Sequence, residues 1–114
     1  MLFNITRADW PPNDELAAFE AEKYPGYSAC HLQAAIFLGR REPLQELLAE
    51  GLARIRRTPQ AFIYKGQFDD MLVWRRLMKD YWPRIRVDVE NRLFGNWWEV
   101  VPQVRRLVGW DPAK

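Results

Sequence analysis

Prolines divide this chain into short segments, and that feature most limits the folds open to it. Of the eight prolines, Pro25 and Pro59 each end an amphipathic stretch, Pro83 interrupts another, and Pro11 follows the first apolar run. Proline lacks a backbone N–H and fixes φ, so it stands at the ends of regular elements and not in their middles. The pattern predicts short helices and strands joined by tight connections. No run of 18 apolar residues occurs, so we expect no membrane-spanning helix.

The length and composition are typical of one ordinary globular domain. The chain has 114 residues, of which 48% are hydrophobic and 28% charged, and no linker-like tract divides it. We therefore expect a single domain over residues 1–114. The first residues lack the pattern of a signal peptide, and Cys30 is the single cysteine, so a cytoplasmic location without disulfides is expected.

Apolar residues at helical spacing predict about five helices. Asn13 is a suitable N-cap for the first, Ser28 for the second, and Asp69 and Asp70 open the fourth. The second and third helices should pack as a helical hairpin over residues 28–57. The predicted helices cover residues 14–24, 28–39, 43–57, 69–82 and 96–108.

Three segments have the composition of short strands: residues 2–7, 61–65 and 84–90. In the third, Ile85, Val87 and Val89 alternate with charged residues, which is typical of a half-buried strand. A helix starting near Pro83 competes with this interpretation. Together the segments predict an α+β domain in which a small three-stranded sheet is covered by the helices, with an all-α fold as the alternative.

Charge is distributed unevenly along the chain, although the net charge is only +2. Residues 1–24 are net acidic and residues 75–92 are net basic. Such a distribution lets the two regions attract each other within one fold or between two copies, or steers an acidic partner to one face.

The residue types needed for catalysis or metal binding are sparse. His31 is the single histidine and follows Cys30 directly, so on a regular helix the two side chains would not face each other as base and nucleophile. The acidic pairs at Asp69–Asp70 and at Asp88 with Glu90 are explained by helix capping and by solvation, and no glycine-rich phosphate loop occurs. We therefore expect no catalytic set, no metal site and no cofactor, and predict that the protein is not an enzyme.

Tryptophans and arginines are interleaved in the C-terminal third, which contains five of the six tryptophans. Helical spacing places Trp74 on the face of Met71 and Met78, and thus in the core. The remaining tryptophan rings either fill the core or lie at the surface and bind a partner. The second interpretation is considered because Trp and Arg dominate interface hot spots. The predicted partner-binding residues are Arg75, Arg76, Trp82, Arg84, Arg86, Trp98, Arg105, Arg106 and Trp110.

These features favour a small non-enzymatic protein that binds another protein, in the manner of an inhibitor or adaptor encoded by a phage or mobile element. A homodimer is one possible form. The alternative is a single-stranded nucleic-acid-binding protein, since aromatic rings beside arginines can stack bases and contact phosphates.

Overall fold

The computed structural model describes residues 1–90 and 92–94, which form a mixed α+β fold. The α+β class predicted from the sequence is confirmed. In chain order the elements are β1 (Leu2–Thr6), α1 (Asp14–Lys23), β2 (His31–Leu38), α2 (Arg41–Arg57), a 3₁₀ turn (Pro59–Phe62), β3 (Ile63–Tyr64), β4 (Gln67–Phe68), α3 (Asp70–Asp80) and β5 (Arg86–Val87).

The first strand lies between two others in the main sheet of the described residues. It pairs antiparallel with β2 and parallel with β5. The register with β2 shifts after Phe3, which lies opposite Phe37, whereas Asn4 lies opposite Gln33. Residues 34–36 are therefore extra on the β2 side and form a wide irregularity of the kind that bends a strand.

Two of the helices begin where the sequence predicts, because side chains cap them. The Asn13 side chain accepts a hydrogen bond from the Leu16 N–H at 3.0 Å, and Asp69 accepts one from the Met71 N–H at 2.9 Å. Each satisfies a backbone donor that the first helical turn leaves free. α2 also forms, but its N-cap is Arg40, which makes no side-chain capping bond.

The core lies between the sheet and the helices. Phe3 packs against Phe37 and Trp74, with ring centroids 4.9 and 5.0 Å away. The burial of Trp74 confirms its predicted place in the core. α2 approaches α3 closely at Gly51, where an added Cβ would lie 3.3 Å from the Val73 side chain.

The predicted helical hairpin over residues 28–57 is wrong, because its first half is a strand. Leucine, alanine and glutamine in residues 31–38 are good helix formers, but β1 uses this segment as its antiparallel partner. Tertiary pairing outweighs local propensity in so short an apolar run. The described residues accordingly contain three α-helices and one 3₁₀ turn.

The two other predicted strands form only in part. In the predicted strand over residues 61–65, the first two residues belong to the 3₁₀ turn that starts at Pro59, and only β3 forms a strand. β3 pairs with β4 in a separate hairpin. Lys65 and Gly66 have φ of 49° and 77°, the left-handed values that a two-residue hairpin turn needs. Over residues 84–90 the strand is limited to β5, and Asp88 is buried where the alternation predicts a solvated side chain. The helix predicted over residues 96–108 lies outside the described residues.

No helix among the described residues has the length and apolarity needed to cross a bilayer.

Candidate functional site: an arginine-rimmed groove

Arg75, one of the predicted partner-binding residues, lies inside the protein. Its side chain is 0% exposed, and Nη2 donates to Glu20 Oε1 at 2.6 Å and to Asp9 at 2.7 Å. Nη1 donates to the carbonyl of Pro11 at 2.9 Å. With its guanidinium enclosed in this way, Arg75 is not part of a contact surface on this structure. Arg75 therefore belongs to the core and not to the contact surface for which the sequence suggested it.

Glu20 joins this ion pair to the only histidine and so completes a buried polar cluster. One carboxylate oxygen lies 3.1 Å from His31 Nδ1, and the other accepts the Leu32 N–H at 2.8 Å. Nearby, burial and then the Glu20 charge raise the pKa of the Cys30 thiol. A thiol with a raised pKa is a poor nucleophile at neutral pH. The contacts satisfy the charges of the cluster and tie α1 to α3 and β2.

Arg76 also faces α1. Its Nη1 lies 3.1 Å from Glu15, and the same carboxylate accepts a bond from Lys79 at 2.8 Å. The acidic first region of the chain and the basic later region thus attract each other within one fold, which is one of the outcomes their charges predict. These contacts leave Arg76 partly neutralised at the surface.

Trp82 lies half-buried at the edge of the core. Its ring makes edge contacts with Phe19 and Tyr24, with centroids 5.9 and 5.6 Å away. The Arg86 guanidinium lies over the same ring at 5.6 Å, a distance at which a cation is attracted to the ring face. Trp82 thereby holds Arg86 in place at the surface.

Arg84 and Arg86 border an open groove of about 640 Å³. Arg84 bonds to Glu46 on α2 at 2.6 Å, whereas no carboxylate of the described residues pairs with Arg86. We call this feature the arginine groove, and define it by its lining residues: Met1, Leu2, Leu38, Gly39, Arg40, Pro43, Arg84 and Arg86.

Three separate stretches of the chain meet in the arginine groove. β1 and β5 are neighbours in the sheet, which brings residues 1–2 beside residues 84–86. The Arg86 N–H donates to the Met1 carbonyl at 2.9 Å, and the Met1 ammonium donates to the Arg84 carbonyl at 2.7 Å. The third stretch, residues 38–43, joins the end of β2 to the start of α2.

The described lining of the groove carries positive charge. None of the described residues that line it is acidic, and three of them are arginines. Burial, followed by the charges of Arg84 and Arg86, lowers the pKa of the Met1 ammonium, as expected where cations crowd one another. An anionic group entering the groove would relieve this repulsion.

The floor of the groove is apolar. Leu38 is 57% exposed at the end of β2, and Met1, Leu2 and Pro43 contribute further aliphatic surface. An exposed apolar surface framed by charged groups is the arrangement found at binding sites. The groove therefore offers two kinds of contact, one apolar and one ionic.

Asp88, two residues beyond Arg86, is a buried carboxylate. Asp88 accepts hydrogen bonds from the backbone N–H groups of Arg92, Leu93 and Phe94 at 2.9–3.0 Å. Burial raises the pKa of this carboxyl, but the three N–H donors outweigh that effect and leave it below its usual value. Asp88 thus holds residues 92–94 close to the end of β5.

The sequence identifies only part of this site. It points to Arg84, Arg86 and Trp82, which lie at or beside the groove, but not to Arg40 or Leu38. The bend between β2 and α2 brings those two residues into the groove. The sequence predicts a helix over residues 28–39, and so it gives no indication of this bend. The predicted partner-binding residues Trp98, Arg105, Arg106 and Trp110 lie outside the described residues.

Another exposed ring was not predicted either. Trp10 is 46% exposed and contacts Tyr64 edge-on, with centroids 5.1 Å apart. Its position between Asp9 and two prolines gave the only signal, since such a segment stands on the surface and not inside a helix or strand.

The described residues contain no group of three or more histidine, cysteine or acidic side chains placed to hold a metal ion. Comparisons with protein-family models, with curated proteins and with solved structures find no match.

Proposed function

We propose that this is a small, non-enzymatic protein that acts by binding another protein, and that the arginine groove is its contact surface. The observation that carries the proposal is the combination of an exposed apolar floor with a rim of arginines. Protein interfaces combine an apolar centre with a polar rim, and arginine is enriched in them.

The surroundings of the groove support a preformed contact surface. Arg84 is held by Glu46 and lies over the Tyr81 ring at 5.9 Å, and Arg86 lies over Trp82. Arginine side chains that are already positioned lose less conformational entropy when a partner arrives. Such a site suits an inhibitor or adaptor that binds without a large rearrangement.

Single-stranded nucleic acid is the alternative partner, and the ion pairs support it less. Binding along a phosphate backbone needs free cations and exposed ring faces. Arg76 and Arg84 are paired with carboxylates and Arg75 is enclosed. Arginine covers Trp82 and Tyr81. A protein partner therefore fits the described surface better.

A site-specific crosslinking experiment tests the proposed function. Leu38 is replaced by p-benzoylphenylalanine in the full chain, and illumination follows in an extract of the native host. We expect a discrete protein crosslink that the additional change Arg86→Glu abolishes.

The matched control carries the photoreactive residue at Arg56, which is also exposed. It stands near the other end of α2, about 20 Å along the helix from Pro43. Equal crosslinking from both positions, or crosslinks to nucleic acid alone, would contradict the proposal.

A further inference from the structure

We infer that the arginine groove accepts an acidic peptide segment of the partner, with an aliphatic side chain seated on the apolar floor. The inference rests on the proposed function and specifies the chemistry of its partner. It is drawn from the charges and the shape of the groove.

Charge complementarity is the first argument. Arg40 and Arg86 form no ion pair with a described carboxylate, and Arg84 shares one with an exposed glutamate. Arginine forms bidentate bonds with carboxylates, so aspartate or glutamate side chains match this rim. A basic segment would meet repulsion from Arg40 and Arg86, which pair with no described carboxylate.

The position of Arg40 is the second argument. A cation at the N-cap of a helix stands at the positive end of the helix dipole, where an acidic or hydroxyl side chain is preferred. Arg40 makes no capping bond and borders the groove instead. We expect Arg40 to lower the stability of the helix end, and contact between its guanidinium and a ligand would explain why an arginine stands there.

The apolar floor is the third argument. Leu38 and Leu2 lie on neighbouring positions of the paired strands β2 and β1, and Pro43 closes the groove on the helix side. These three side chains form an aliphatic surface, which the carboxylates of a partner would not cover by themselves. The volume of the groove, about 640 Å³, falls within the range of roughly 300–1,000 Å³ that is typical of small-ligand sites. A short extended segment therefore fits into the groove, whereas a whole domain does not.

Binding of defined peptides tests the inference. The probe is a short fluorescein-labelled peptide rich in glutamate with two leucines, added to the full-length protein. One comparison peptide has serine in place of leucine, and the other has lysine in place of glutamate. We expect fluorescence anisotropy to show the tightest binding for the first peptide, with each comparison peptide at least about tenfold weaker.

Variants locate the binding. Arg86→Glu should weaken the acidic peptide by at least about tenfold and favour the lysine peptide instead. Arg40→Asp should also weaken binding of the acidic peptide, and it provides a second reading because aspartate is a preferred N-cap residue and should leave the protein folded. Arg56→Glu, on the same helix but outside the groove, makes the same kind of charge reversal and should leave binding unchanged.

Equal affinity for all three peptides, or equal loss from Arg56→Glu and Arg86→Glu, would overturn the inference. If the protein crosslink from position 38 forms while the acidic peptide does not bind, the proposed function stands and the acidic partner does not. If neither occurs, both fall.

Discussion

At the scale of single residues, we expect the buried Arg75 to contribute more to the free energy of unfolding than an exposed charged residue does. Arg75 and Glu20 are both removed from water and pair with each other, and Asp9, His31 and backbone groups complete their hydrogen bonds. Removing one partner from such a cluster leaves an unmatched charge inside the protein. The neighbouring residue Arg76 makes a similar bond at the surface, where water can replace it.

This contrast gives a paired prediction. Arg75→Met should lower the free energy of unfolding by about 3–5 kcal/mol, because Glu20 then loses its buried counter-charge. Arg76→Met, the control, should change it little. Urea denaturation followed by circular dichroism measures both. Similar small effects from the two changes would show that the Arg75 cluster does not stabilise the fold.

Asp88 gives a prediction about pH. Its pKa is lowered in the folded protein by the three backbone N–H donors, so folding favours the charged form. The resulting stabilisation is present above the unfolded pKa of about 3.9 and is lost as the pH falls through the lower folded pKa.

Asp88→Asn removes the titrating group but keeps its size. The difference in unfolding free energy between the natural chain and this variant should be constant near neutral pH and shrink below about pH 4. Denaturation curves over this pH range measure it. A difference that grows as the pH falls would contradict the assigned role of the carboxylate.

At the scale of elements, helix ends explain which predictions hold. α1 and α3 are capped by Asn13 and Asp69, whose side chains fill the role that their residue types favour. β2 was missed because nothing local marks residues 31–38 as a strand. Their strand form depends on β1, which lies about 30 residues earlier in the chain, and only the tertiary fold brings the two together.

Arg40 tests the balance between stability and binding within one element. Arg40→Asp should raise the unfolding free energy by about 0.5–1 kcal/mol, since an aspartate at this position can accept a first-turn N–H and favours the helix dipole. Thermal unfolding followed by circular dichroism measures the effect. Arg41→Asp, one position further on, lacks the N-cap geometry and should stabilise less. A lower melting temperature for Arg40→Asp would show that Arg40 supports the fold in a way the capping argument omits.

At the scale of the whole molecule, the site arises where distant segments meet. Residues 1–2, 38–43 and 84–86 are far apart in sequence, and the pairing of β1 with β2 and β5 joins them. Composition alone could suggest that arginines and aromatic rings near residues 81–86 form a surface. It could not show that Arg75 belongs to the core, because burial of an arginine depends on the acidic partner supplied by α1.

Amide chemical-shift mapping with the glutamate- and leucine-containing peptide shows whether the arginine groove is the binding surface. Titrating the peptide into isotope-labelled protein should shift the amide signals of residues 2, 38–42 and 84–86 and leave those of residues 51–57 unchanged. Shifts centred on Trp10 and the β3–β4 hairpin, with the groove unaffected, would contradict it.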